Sequence, residues 1–163
     1  MIKSITIVGS GRWAKQYIVT LLENKLTKKI IVISKKNISR IKSWVFNHNL
    51  QKYITVKKKI PEKGNNIAIV VNLASEHYKS TSLLIKKGYN VLVEKPLTLN
   101  FLHAKKIYEN SKISNVYVAC SNVLLFSSYI DNFSKLIRKN KIKNINFIWH
   151  DKQGDIRYKE KVR

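Results

Sequence analysis

Lys95 is one lysine among many, but its neighbours set it apart: it stands between Glu94 and Pro96, directly after the apolar run Val91-Leu92-Val93. A lysine just past a buried strand lies in the crevice outside the carboxyl ends of an open α/β sheet, where such sheets bind ligands. Burial and neighbouring charge can lower an ammonium pKa far enough for general acid–base work. Lys95–Pro96 is also a candidate cis bond, because cis peptides are essentially confined to proline. The other chemically informative segment is Gly9-Ser10-Gly11-Arg12-Trp13-Ala14, which reads G-x-G-x-x-A. In such a turn the first glycine permits the tight strand-to-helix reversal and the second lets backbone approach a pyrophosphate. The third small residue allows close helix–sheet packing. A phosphate cradle and a lysine able to move a proton together suggest a redox enzyme.

The glycine motif has the context it needs. It follows the apolar strand Ile2–Val8, and the next helix carries Ala14, Ile18, Leu21 and Leu22 at helical spacing. The helix N-terminus would present free N–H groups and a positive dipole end to phosphates. Cofactor choice is read at the end of the second strand, where a carboxylate would bind the ribose 2′-OH of NAD. That place holds Ser34-Lys35-Lys36 and no carboxylate. A hydroxyl and two ammonium groups suit the additional phosphate of NADP, with NAD as the alternative.

The elements that must position these residues alternate as in βαβ units, predicting a doubly wound parallel sheet of the Rossmann type with helices on both faces. Strands are expected at Ile2–Val8, Ile30–Ser34, Tyr53–Val56, Ile67–Asn72, Asn90–Glu94 and Val116–Ala119. Asn37 is placed to cap a helix bearing Ile38, Ile41, Trp44 and Val45 on one face. A helix over Glu76–Lys87 ends at Gly88, a C′ glycine. Asn100 is placed to cap a helix carrying Leu102, Ile107 and Tyr108, and residues 128–139 form another with Ile130, Phe133 and Ile137 on one side. Lys57–Asn66, with Pro61 and Gly64, reads as loop. Asn144–Trp149 is a last extended run before a charged tail.

These segments resemble the glucose–fructose oxidoreductase, inositol dehydrogenase and rhizopine-catabolism family, Gfo/Idh/MocA. The resemblance rests on the glycine motif and on Ser34-Lys35, similar to a serine-basic pair of NADP-using members. It rests also on Asn72-Leu73-Ala74-Ser75-Glu76-His77, similar to the family's Thr-Pro-x-x-x-His loop, and above all on Glu94-Lys95-Pro96, its Glu-Lys-Pro signature. It implies a cofactor site of Gly9, Ser10, Gly11, Arg12, Trp13, Ala14, Ser34, Lys35, Leu73, Ala74, His77, Glu94, Lys95 and Pro96. Lys95 would be the catalytic residue, touching substrate and nicotinamide. Asn122-Val123-Leu124-Leu125-Phe126 resembles the family's Asn-x-x-Arg-Phe segment, with Leu125 in place of the arginine. Residues 1–121 would be the NAD(P)-binding Rossmann domain, and 122–163 a linking helix and first strand of an incomplete substrate domain. No Asp-x-x-x-His segment follows, so the chain reads as the first half of an oxidoreductase.

Composition narrows the remaining classes. A chain of 163 residues buries roughly two-thirds of its unfolded surface, enough to fold without disulfides or metal. Cys120 is the single cysteine, which excludes an internal disulfide or a cysteine-rich metal site and suits a reducing, cytoplasmic setting. No apolar run approaches a membrane span. The formal charge of +23 invites a nucleic-acid reading. Yet Lys, Asn and Ile, all with AT-rich codons, fill two-fifths of the chain, and Arg is scarce. Selection for nucleic acid would raise Arg rather than Ile. The favoured reading is an NAD(P)-dependent oxidoreductase acting on a sugar, nucleotide sugar or related hydroxy or imine compound, anionic ligands being favoured by the charge. Its expected partner is a second copy or a complementing subunit. A non-catalytic dinucleotide-binding module is the alternative.

Overall fold

The structure, a computed structural model, describes residues 2–62, 67–139, 143–146 and 148. The chain divides after Asn122 into two compact units.

The first unit is a six-stranded, all-parallel sheet in the order β3-β2-β1-β4-β5-β6. Its strands are β1 (Ile5–Val8), β2 (Ile30–Ile33), β3 (Ile54–Lys57), β4 (Ile67–Val70), β5 (Asn90–Glu94) and β6 (Val118–Ser121). The connecting helices are α1 (Arg12–Glu23), α2 (Ile38–Asn47), α3 (Ala74–Lys86) and α4 (Phe101–Ile113). This is the doubly wound Rossmann-type α/β fold that the alternation of apolar runs and amphipathic stretches predicts.

The central strands β1, β2, β4 and β5 are mostly apolar because they are covered on both sides, whereas the edge strands β3 and β6 expose Thr55, Lys57 and Ala119. Successive side chains point to opposite faces of a strand, and two cores result. Ile5 and Ile7 pack with Ile30, Val32 and Ile69 against Ala14, Ile18 and Leu21 of α1 and Ile41 and Val45 of α2. Val8, Ile33, Val70, Val91 and Val93 pack on the other face with Leu84 and Ile85 of α3 and Ile107 of α4. Full burial of a side chain such as Ile18 or Leu84 stabilises the fold by roughly 1.5–3 kcal/mol.

Strand order reverses between β1 and β4, and that junction is built tightly. Gly9 leaves β1 with φ +134°, and a Cβ there would lie 2.8 Å from the Val71 carbonyl oxygen and 2.9 Å from the Asn72 nitrogen. Gly88, with φ +74°, follows Lys87, the C-cap of α3, as the spacing predicts, and a Cβ there would meet open space.

Several local expectations are corrected. The helix predicted from Glu76 begins at Ala74, and Val71 and Asn72 lie past the end of β4. Asn37 precedes α2, but its side chain makes no capping hydrogen bond. Asn100 does cap α4, its Oδ1 accepting from Leu102 N at 2.8 Å. Of the apolar residues read on α4, Ile107 is buried while Leu102 and Tyr108 are exposed. α4 flanks β6, an edge strand, so one narrow line of contact suffices.

In the second unit a 3-10 turn over Val123–Phe126 precedes α5 (Ser128–Lys139). Asn144, Ile145, Asn146 and Ile148, expected in a last extended run, carry no regular element; Phe147 and Trp149 lie outside the described residues.

The two left-handed glycines should respond differently to a methyl group. Gly9→Ala combines an unfavourable φ with a backbone clash and is expected to cost more than about 2 kcal/mol. Gly88→Ala meets only the conformational penalty, about 1–2 kcal/mol. Urea unfolding of the two variants checks the order.

Candidate functional site

Parallel pairing sends every strand's carboxyl end to the same edge of the sheet, and the predicted residues gather there from three turns. The first turn follows β1. Gly11 is the N-cap residue of α1, with no side-chain cap and no acid in the first turn. The N–H groups of a helix's first turn have no intrahelical partner, so this end offers donors and a positive dipole to an anion. A Cβ built on Gly11 meets nothing within 4 Å. The fold does not require glycine there, whereas a ligand approaching the backbone would. Arg12 and Trp13 are exposed beside this turn, and Ala14 is fully buried against the sheet.

The second turn follows β2. Ser34 is buried, and its Oγ lies 2.9 Å from Ser10 Oγ. One hydroxyl proton is spent on that bond, and the other stays available to a ligand. Lys35 and Lys36 are exposed. Their neighbours Lys57 and Lys58 leave the adjacent end of β3, where Ser34 N donates to Lys57 O at 3.0 Å. None of these four lysines, nor Arg12, forms an ion pair among the described residues.

The third group surrounds Lys95. Leu73 is exposed and Ala74 half-buried at the start of α3. His77 is buried, with Nδ1 2.7 Å from Pro96 O and Nε2 3.2 Å from Asn72 O. Carbonyl oxygens only accept, so the shorter contact is best served by a proton on Nδ1. Both ring nitrogens face backbone, so His77 contributes by joining the turn after β4 to Pro96 rather than by touching a ligand. Asn72 Oδ1 is buried without a donor among the described residues, leaving one acceptor open at the end of β4. The Lys95–Pro96 bond is cis. Lys95 and Pro96 are exposed, and Lys95 N donates to Glu94 Oε2 at 3.2 Å.

Two residues here escaped the sequence reading. Tyr17, one turn into α1 from Ala14, donates its hydroxyl proton to Glu94 Oε1 at 2.7 Å, and its Oη lies 3.2 Å from Ser121 Oγ. Ser121 is the register partner of Glu94 across β5 and β6. A signal existed: Tyr17 falls on the buried stripe of Ala14, Ile18 and Leu21, where a polar tip needs a partner. Burial, then the hydrogen bond and charge of Glu94, push the Tyr17 phenol up to about 12, partly offset by the Ser121 hydrogen bond. Burial and the same carboxylate also raise the Cys120 thiol.

An open groove of about 630 Å³ runs between α2 and the edge strand β3, lined by Phe46, Gln51, Ile54 and Thr55. It contains none of the predicted site residues, so it is not the site assembled at the carboxyl edge. Basic residues are spread rather than gathered: Lys3, Lys29, Lys52 and Lys112 are exposed at the amino end of the sheet, Lys35, Lys36, Lys57 and Lys58 at the other. This supplies no single basic face for a polyanion among the described residues. No three His, Cys, Asp or Glu side chains cluster among them to hold a metal, and no helix is long and apolar enough to cross a membrane.

The raised phenol has a pH signature. A folded pKa above the unfolded value of 10.0 contributes stability that is full below pH 10.0 and is lost as pH rises through about 12. Tyr17→Phe should flatten the decline in stability across that interval, and an ultraviolet titration of the folded protein should lose a phenol titrating at about 12.

Comparison with known proteins agrees with this geometry. The chain is 19% identical over 144 residues to trans-1,2-dihydrobenzene-1,2-diol dehydrogenase of Xenopus tropicalis, covering 87% of this chain and 44% of the relative. Among solved structures it resembles scyllo-inositol dehydrogenase from Lactobacillus casei, with bound NAD(H) and scyllo-inositol, at TM-score 0.73 and 16% identity over 88% of this chain and 43% of that one. It also resembles UDP-N-acetylglucosamine 3-dehydrogenase from Acidithiobacillus ferrooxidans at TM-score 0.69 and 13% identity, covering 83% and 44% of the two chains. The chain thus spans less than half the length of these relatives. The model of the GFO_IDH_MocA oxidoreductase family, NAD-binding Rossmann fold, matches residues 3–121. A glycine turn at an uncapped helix end, on the same sheet edge as a Glu-Lys-Pro turn, stands within the matched span, and this chain belongs to the Gfo/Idh/MocA oxidoreductase family.

Proposed function

We propose that this chain binds NADP and forms the cofactor half of an oxidoreductase acting on a sugar, nucleotide sugar or related hydroxy or imine compound. The observation that carries the reading is the contrast between two glycines of one turn. Gly9 is demanded by packing, but Gly11 faces open space at an uncapped helix end. Glycine at the second position is explained by a ligand that approaches the backbone, and a pyrophosphate fits the donors there.

When bound, the nicotinamide supplies or takes up the hydride. The residues of this chain bind, orient and move the accompanying proton. The first-turn N–H groups of α1 and the Gly11 backbone would hold the pyrophosphate. Lys35 and Lys36, unpaired among the described residues and reinforced by Lys57 and Lys58, favour the 2′-phosphate of NADP over the bare ribose of NAD. Lys95 is proposed as the general acid–base: its ammonium can give a proton to a forming alkoxide, and its amine can take one from a hydroxyl. Glu94 and His77 hold the backbone on either side of it. Residues from 122 onward are read as the start of a substrate domain. The rest of the pocket is assigned to a second half, on this polypeptide or a complementing one, in a cytoplasmic homo-oligomer.

Calorimetric titration at low salt should give tighter binding of NADPH than of NADH. Gly11→Ala should weaken both about tenfold at nearly unchanged stability, a loss of about 1.4 kcal/mol. Lys35→Ser with Lys36→Ser should remove the NADPH preference and reduce the salt dependence of binding. No binding of either cofactor overturns the reading.

In an assay reconstituted with a substrate half, Lys95→Met should lower turnover by roughly 10²–10⁴-fold while NADPH affinity is kept. Cofactor binding with no turnover under any reconstitution would instead favour a binding module.

A further inference from the structure

Glu94 spends both carboxylate oxygens inside the protein. Oε1 accepts from the Tyr17 hydroxyl at 2.7 Å, and Oε2 accepts from Lys95 N at 3.2 Å. Tyr17 belongs to α1, the helix whose first turn carries Gly11 and Arg12. The carboxylate therefore bridges the cofactor helix to the backbone of Lys95, at the point where the chain leaves β5. Ser121 Oγ, 3.2 Å from the same phenol, closes the arrangement from β6.

The Tyr17 ring packs against the apolar cluster beneath α1. Ala14, Ile18 and Leu21 bury that helix against the sheet. The Tyr17 hydroxyl acts on something other than helix packing, and the one charged group it meets is Glu94. A glutamate held at one oxygen only can rotate, and its second oxygen then no longer fixes the Lys95 N–H.

We propose that Tyr17 is a positioning residue that, through Glu94, sets where Lys95 stands relative to a ligand bound at the N-terminus of α1. The inference rests on the dinucleotide reading above, with the nicotinamide end beside Lys95. Tyr17 touches neither cofactor nor substrate in this proposal. It makes the lysine's place depend on the same helix that holds the phosphates, so the two ends of the crevice keep a common reference.

The test uses the full chain as wild type and as Tyr17→Phe, which removes one oxygen and leaves the ring. Two readouts are taken: amide hydrogen exchange, and labelling of each lysine by an amine-reactive reagent with and without saturating NADPH, resolved by peptide mass spectrometry. In wild type, NADPH should slow labelling of Lys35, Lys36 and Lys95. In Tyr17→Phe, exchange at residues 94–97 should speed up and the shielding of Lys95 should fall by about threefold or more. Shielding of Lys35 and Lys36, exchange in α1 and NADPH affinity should stay within about twofold, less than 0.5 kcal/mol. Should Tyr17→Phe fold poorly, Glu94→Ala breaks the same link from its other end, and exchange at residues 94–97 should again speed up more than exchange in α1. Equal shielding of Lys95 in wild type and variant overturns the proposal alone. So does loosening of α1 to the same extent as residues 94–97, which would mark a merely structural tie. If NADPH shields neither Lys35 nor Lys95 in wild type, the dinucleotide reading falls and this proposal falls with it.

Discussion

The backbone of Gly9 lies against the peptide that joins Val71 to Asn72 with no room for one methyl group. This contact sets the junction between β1 and β4, where strand order reverses and the crevice of a doubly wound sheet opens. Everything at the carboxyl edge takes its position from it. The turn after β1 aims the first N–H groups of α1, and the turn after β4 starts α3. α3 carries His77, whose ring meets Asn72 O on one side and Pro96 O on the other. α1 carries Tyr17, which reaches Glu94. Two independent lines of contact, one through each helix, thus run from the glycine turn to the residues flanking Lys95.

Two of these links, Tyr17 to Glu94 and His77 to Pro96 O, are short at 2.7 Å and part-buried. A hydrogen bond to a charged acceptor such as the Glu94 carboxylate is typically worth about 1.5–3 kcal/mol, more than a neutral pair. The groups proposed to meet a ligand lie outside this scaffold. Gly11 and Lys95 are exposed, as are Arg12, Lys35 and Lys36.

The high positive charge reads differently once folded. Among the described residues, lysines occupy both ends of the sheet rather than one. What matters locally is the lack of a carboxylate partner for the lysines ending β2 and β3. The three ion pairs of the described residues lie elsewhere, between Lys87 and Glu62, Lys105 and Glu109, and Lys135 and Asp131. An anion entering beside Lys35 therefore meets no internal competitor among the described residues.

The amino-acid sequence by itself determined the α/β class, the glycine turn, the strand Asn90–Glu94 and the Asn100 cap. Each depends on interactions within a few residues or on the period of a single element. The placement of Gly88 and the candidate cis bond at Lys95–Pro96 were legible for the same reason. Only the tertiary structure decided which polar side chains are spent on holding the site. It buried Ser34 against Ser10, turned His77 inward onto two carbonyls, left Leu102 and Tyr108 of α4 in solvent, and brought Tyr17 to Glu94 and Ser121. The physical reason is that these contacts join residues far apart in the chain, and their partners are chosen by strand order and register. Tyr17 shows the boundary most clearly. Helical spacing places it on the buried stripe of α1, but that its hydroxyl would meet a carboxylate beside Lys95 depends on β5 and β6 ending together at that edge.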